Sequence, residues 1–515
     1  MAESAQIHTR AMNERKVVAD QRGRRWGWGP SAKSKMTRAS LFMSAVVLIA
    51  APAAAQPDAD PARAHYQRGL DFERHQKLDE AAAEYRAALA RTPSLAEAHD
   101  RLGFVLGAQG RTADAIAEFE QAVALQPALF DARYHLGATL WWTKQLDRAR
   151  GELERAVKLR PAHAEARYYL AVTERQLGDV AAAVDDFRTA IRHDPKLAPA
   201  HTQLGAALQQ LGDVDGAIAA FRRALALDPS LPDAGNSLGL ALMQKGDADA
   251  ASRALRAVVD AKPDFSSARL NLGIALMQGG AIDAAVAELT ELTRRDTKNA
   301  EAFYDLGLAL KQRDDFDAAA TALRTAMQLD PALAEAPFTL GVVMWQTGRA
   351  EEAVPLLKEA IARRRDYADA HYMLGTIFKQ QGQTAAALEE VREAIRINPL
   401  SAEAHTTLGQ LLHATHDTAG AASALAEAER LTRRTADAQA AVFAVNAGLE
   451  RLKRREVAAA IAKFREATRL APDNAQAHFQ LALALRRTGR YDAARTEFAA
   501  ARRLAPYLRP PDGDR

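Results

Sequence analysis

Residues 96–129 read AEAHDRLGFVLGAQGRTADAIAEFEQAVALQPAL, and the same outline returns every 34 residues. The pair Leu102-Gly103 recurs as Leu136-Gly137, Leu204-Gly205, Leu238-Gly239, Leu272-Gly273, Leu306-Gly307, Leu340-Gly341, Leu374-Gly375 and Leu408-Gly409. Numbered from 1, the units begin at 62, 96, 130, 164, 198, 232, 266, 300, 334, 368 and 402; after a five-residue slip two more begin at 441 and 475, thirteen in all. Position 20 is Ala in every unit, and position 8 is Gly except at Ala171 and Ala482. Position 24 is aromatic in the strongest units, as in Tyr85, Phe119, Phe187 and Phe221, and mostly Leu elsewhere. Position 32 is usually Pro, with Thr297, Arg365 and Arg433 as departures.

Each position has a physical reason. Gly or Ala at 8 and Ala at 20 let two helices approach closely, the large residue at 24 is expected to fill the gap between units, and Pro at 32 ends a helix because it lacks an N–H. One helix pair cannot bury its apolar face alone, so such units stack. This period and these positions resemble the tetratricopeptide repeat family. The resemblance implies an all-α fold, a right-handed superhelical α-solenoid of stacked helix-turn-helix repeats. It places eleven units in 62–430, a phase slip or hinge at 431–440, two further units in 441–508 and a tail at 509–515. Pro337 and Pro355 fall inside helices of the ninth unit, where local irregularity is expected. No polar capping helix follows the last unit in this sequence, so its final helix is expected to expose apolar surface.

Composition agrees. The 515 residues are rich in Ala, Leu, Arg and Glu with 6% aromatics, a helix-forming mixture. Cysteine is absent, which excludes disulfides, thiolate metal sites and a thiol nucleophile. The formal charge is +3, but residues 1–55 carry nine Lys/Arg against three Asp/Glu, leaving 59 against 62 in the rest. That near-neutral, interspersed body lacks the basic stripe that nucleic-acid binding needs.

The stretch 36–56, MTRASLFMSAVVLIAAPAAAQ, has a positive start, an apolar run from Leu41 to Ala51 and an Ala-x-Ala site before Gln56. This is the pattern of a secretory signal peptide. Residues 1–55 are therefore read as a targeting segment, with Met36 the expected start, and the destination as periplasmic or secreted, with no stable membrane insertion after cleavage. The alternative is an anchor, with 41–55 retained and the protein tethered as an adaptor.

The tryptophans indicate where a partner is expected. In the resembled family, positions 2, 5, 6, 9, 12 and 13 of the first helix line a concave groove. Trp141 and Trp345 are position 12 and Trp142 is position 13; Met243 and Met277 are also position 12. Position 5 supplies Tyr134, Tyr168, Tyr304, Phe338 and Tyr372, residues that serve equally as packing. Large amphipathic groups on such a face mark a protein- or peptide-binding surface. Position 13 adds Gln176, Gln210, Gln244, Gln278, Gln312, Gln346 and Gln380, a ladder suited either to an extended backbone or to solvent. Position 6 lacks the asparagine ladder of O-linked N-acetylglucosamine transferase repeats, and position 2 is often acidic, which favours an apolar or basic segment. The histidines at position 4 (His65, His99, His201, His371, His405 and His478) read as packing residues. No P-loop, nucleophile elbow or zinc-protease motif is present. The expectation is a non-enzymatic scaffold of a bacterial cell envelope without cofactor or metal. The alternative is a recruiting accessory to a glycosyltransferase.

Overall fold

The computed structural model describes residues 60–505 and 508, and the expected leader, 1–55, and tail, 509–515, lie outside the described residues. Twenty-five α-helices, from Pro61–Arg74 to Tyr491–Leu504, succeed one another among the described residues, with no strand. All but one have 12 to 14 residues. Sequential helices pack pairwise, so the fold is an all-α solenoid of stacked helix pairs, as the repeat requires. The chain forms two compact units that divide between Ser267 and Ala268, inside the helix Ser266–Gln278.

Within each pair the closest approach is at position 8. A Cβ placed on Gly103 lies 2.8 Å from Phe119 Cδ1, and one on Gly137 lies 2.6 Å from Leu153 Cγ. The large residue at 24 therefore rests on the glycine of its own repeat, rather than only filling space between repeats. Tyr85, Phe119, Leu153, Phe187 and Phe221 are fully buried there. In the first compact unit Tyr85, Phe119 and Leu153 join Leu102, Leu136, Leu140 and Leu170 in one continuous core.

The turn inside each pair has its own rule. A left-handed residue sits at position 15 throughout: eight glycines, including Gly110 and Gly178, and five other residues, Gln76, Lys144, Asp314, His416 and Arg455. They recur every 34 residues until His416, and the next, Arg455, comes 39 later. The left-handed turn reverses the chain and starts the second helix, and Gly adopts it without Cβ strain.

The slip produces the one long helix among the described residues, the 36-residue Thr418–Lys453. It runs without interruption through 431–440. Leu431 and Ala441 are buried, while nearly everything between them is exposed. Pro337 lies in the first turn of Glu335–Gln346, where a missing N–H leaves no bond unmade. Pro355 lies inside Ala350–Arg363, which continues past it.

Candidate functional site

Position 4 is a clip. In the first compact unit His65, His99 and Arg133 meet the carboxylates of Glu84, Glu118 and Glu152 at 2.7, 2.6 and 2.5 Å, and Arg167 meets Asp186 at 2.6 Å. In the second compact unit Arg269, His371 and His478 meet Glu288, Glu390 and Glu497, each at 2.6 Å. Every pair joins position 4 to position 23. Several of these side chains reach back to a backbone carbonyl six residues earlier, as His99 does to Pro93 at 3.0 Å and Arg133 to Pro127 at 2.6 Å. One side chain thus ties the end of the preceding helix to both helices of its own pair. His201 and His405 keep only the carbonyl, because position 23 is Ala220 and Ala424. The Glu118 hydrogen bond holds the His99 imidazolium above its ordinary range, whereas burial pushes His201 down. The packing role read from sequence is therefore polar, and the acid 19 residues downstream was its legible signal.

The first helices of successive pairs face one another by a second rule, residue i against i+35. In the first compact unit Asp100 meets His135 at 2.8 Å and Gln209 Nε2 donates to Gln244 Oε1 at 3.2 Å. In the second, the Tyr304 hydroxyl lies 3.4 Å from Thr339 Oγ1, and Trp345 Nε1 donates to Gln380 Oε1 at 3.0 Å. The hydroxyls of Tyr372 and Thr407 are 3.5 Å apart. This contact covers positions 5 and 12. Met243, Met277, Tyr304 and Phe338 are buried, contrary to the groove exposure expected of them. Within the second compact unit, the i-to-i+35 neighbour on the next first helix takes area that a partner was expected to take, as Thr339 does at Tyr304. Tyr372 and Trp345 are partly buried.

The remaining predicted residues come together in the first compact unit. Helix Phe130–Trp142 carries Tyr134, Trp141 and Trp142, and helix Ala164–Leu177 carries Tyr168 and Tyr169. The Trp141 ring meets Tyr169 edge-on at 5.4 Å and Trp142 at 6.5 Å; Tyr169 continues to Tyr134 at 6.0 Å and to Tyr168 at 5.3 Å. Tyr169 is the hub that sequence reading left aside. Burial raises the phenols of Tyr134, Tyr168 and Tyr169, so they stay neutral hydrogen-bonding groups. Adjacent tryptophans separate by ~100° of helical turn. Trp141 packs between the two helices with its Nε1 buried and without a hydrogen-bond partner among the described residues, while Trp142 points outward at 50% exposure. Lys144 Nζ sits 5.6 Å from the Trp141 ring centroid. The Gln ladder at position 13 is exposed at 176, 210, 244, 278 and 380 and half-buried at 312 and 346.

Among the described residues no group of three or more metal-ligating side chains occurs, and no helix is long and apolar enough to cross a membrane.

One tetratricopeptide-repeat model matches residues 66–128, 101–150, 143–198 and 445–508, and a second matches 209–246. The C-terminal domain of cilia and flagella-associated protein 70, a tetratricopeptide domain, matches 231–445. Tetratricopeptide repeats therefore run through the described chain. Comparison with curated proteins gives no match. Among solved structures, MamA from Desulfovibrio magneticus RS-1 is 24% identical over 34% of this chain and 98% of its own, with TM-score 0.32. YrrB, a tetratricopeptide protein with an unusual peptide-binding site, is 22% identical over 36% of this chain and 95% of its own, with TM-score 0.31. The Cut9–Hcn1 hetero-tetramer is 16% identical over 87% of this chain and 94% of its own, with TM-score 0.35. The matched segments together take in most of the residues from 66 to 508 as tetratricopeptide repeats.

Proposed function

We propose that this chain is a non-enzymatic scaffold that holds an extended peptide or a helix of a protein partner against the first-helix face of residues 60–267. The observation that supports this most directly is the Trp141–Trp142 pair. An outward indole offers large contact area at little entropic cost, and beside it a buried indole N–H lacks an acceptor. The apolar run and Ala-x-Ala site before Gln56 support a periplasmic or secreted setting, serving an envelope assembly. Capture from envelope extract with the full mature chain tests the reading. The partner recovered by the unmodified protein is expected to be lost with Trp142→Ala, while Leu159→Ala, an exposed change on a second helix, retains it. Equal recovery by both variants rejects this surface. N-terminal sequencing of the secreted form, with Gln56 first, tests the location.

A further inference from the structure

The i-to-i+35 relation and the glutamine ladder meet at one place in the second compact unit. Lys311 is position 12, and Gln346, 35 residues on, is position 13 of the next pair. This is the relation that joins Trp345 to Gln380 and Gln209 to Gln244. Lys311 and Gln346 do not use it. Gln346 Oε1 is buried without a partner, and Lys311 is partly buried with no hydrogen bond or ion pair on its amine among the described residues. Burial alone lowers the amine to about 8, with no nearby carboxylate acting on it. At the same position Met243 and Met277 are apolar and buried. A desolvated cation in that series is costly to the fold and has no internal compensation.

We propose that Lys311 and Gln346 form a subsite for the side-chain carboxylate of an aspartate or glutamate within an extended peptide on the first-helix face of the second compact unit. This rests on the protein-binding reading above and extends it to a separate surface, within the second compact unit alone. The ammonium supplies the charge-assisted donor, and the Gln346 carbonyl accepts a backbone N–H of the same peptide. Position 12 of the following pair is Trp345, partly buried, so on that side the peptide continues past the acidic residue beside an indole and carries an apolar residue there. The acidic position 2 of this repeat, Glu335, is already paired with Arg364 at 3.1 Å, so its charge is met within the fold.

The test is a selection of internally displayed random 12-residue peptides on the full chain, in parallel on Lys311→Met and Lys311→Arg. On the unmodified chain one acidic residue with an apolar residue on one side is expected to be enriched. The preference should vanish on Lys311→Met and survive on Lys311→Arg. A synthetic winner should weaken at least about tenfold on Glu→Gln exchange, and equally on Lys311→Met. Lys311→Met should also melt higher than the unmodified chain, because it removes a buried charge. A selection without acidic preference, or one that Lys311→Met leaves unchanged, overturns the subsite. A winner that binds only with a free C-terminal carboxylate overturns the internal acidic residue. Winners that depend on Trp142 but ignore Lys311 overturn this inference alone, and a selection that yields no binder overturns the protein-binding reading with it.

Discussion

Two glycines show that one residue type does two jobs. Gly137 is required for space, since a Cβ there meets Leu153 at 2.6 Å, whereas Gly178 has open space around it and is required only for its φ of 93°. Gly137→Ala should cost about 1–3 kcal/mol by overpacking. Gly178→Ala should cost about 1 kcal/mol through backbone strain alone. The converse holds at Gln76, an exposed left-handed residue with φ of 58°. Gln76→Gly is expected to stabilise by about 1 kcal/mol, because removing the Cβ penalty outweighs glycine's extra chain entropy. Urea melts of the three variants check all three signs. His201 makes a further residue-scale case. Its folded pKa lies below the ordinary 6.5, so its contribution to stability is full above that value and is lost as pH falls through the lower one. His99, raised by Glu118, does the reverse, contributing below 6.5 and losing that as pH rises. Ala220→Glu gives His201 the acid that its counterparts have and should move its NMR titration midpoint from below the ordinary value to above it. A midpoint that stays low refutes the clip.

At the scale of the element, the long helix Thr418–Lys453 departs most from the pattern. Between buried Leu431 and Ala441 it buries no side chain, and its charges are met locally, Arg433 with Glu429 at 2.7 Å, or by Arg434 with Asp473 at 3.2 Å. A helix without a packed face depends on propensity and on such pairs. Ala436→Gly with Ala440→Gly should therefore cost about 2 kcal/mol of local helix stability. Amide hydrogen exchange is expected to be fastest in 432–440 and to quicken there alone in the double variant. The slip itself was plain in the sequence. Its form was not, because a five-residue offset fits an unbroken helix or a bend equally until the neighbours on both sides are in place.

Over the molecule as a whole, the repeat, its register and its helix pairs were legible because each repeat restates the same constraints: Gly or Ala at 8, Ala at 20, a large group at 24 and Pro at 32. The face presented to a partner was legible only in part. A helical wheel drawn on one repeat separates Trp141 from Trp142, and the outward member is the one it placed opposite the packing stripe. It cannot show that the next first helix covers positions 5 and 12, since that contact depends on a neighbour 35 residues away. Met277, Tyr304 and Phe338 were misplaced for this reason, and Tyr169 was overlooked for the same one. The unmet Trp141 N–H and the solitary Lys311 amine have no trace in composition or spacing, because a missing partner is visible only when every neighbour is known.

The bare stretch of the long helix gives the trailing modules an adjustable mount. It buries no side chain and only the exposed Arg434–Asp473 pair reaches it from outside, so its length is free to change in evolution or by design without disturbing a core. Each residue added or removed there rotates the downstream helices by about 100° and shifts them by about 1.5 Å. A handful of insertions would sample every azimuth at which the last helices can be offered to a ligand.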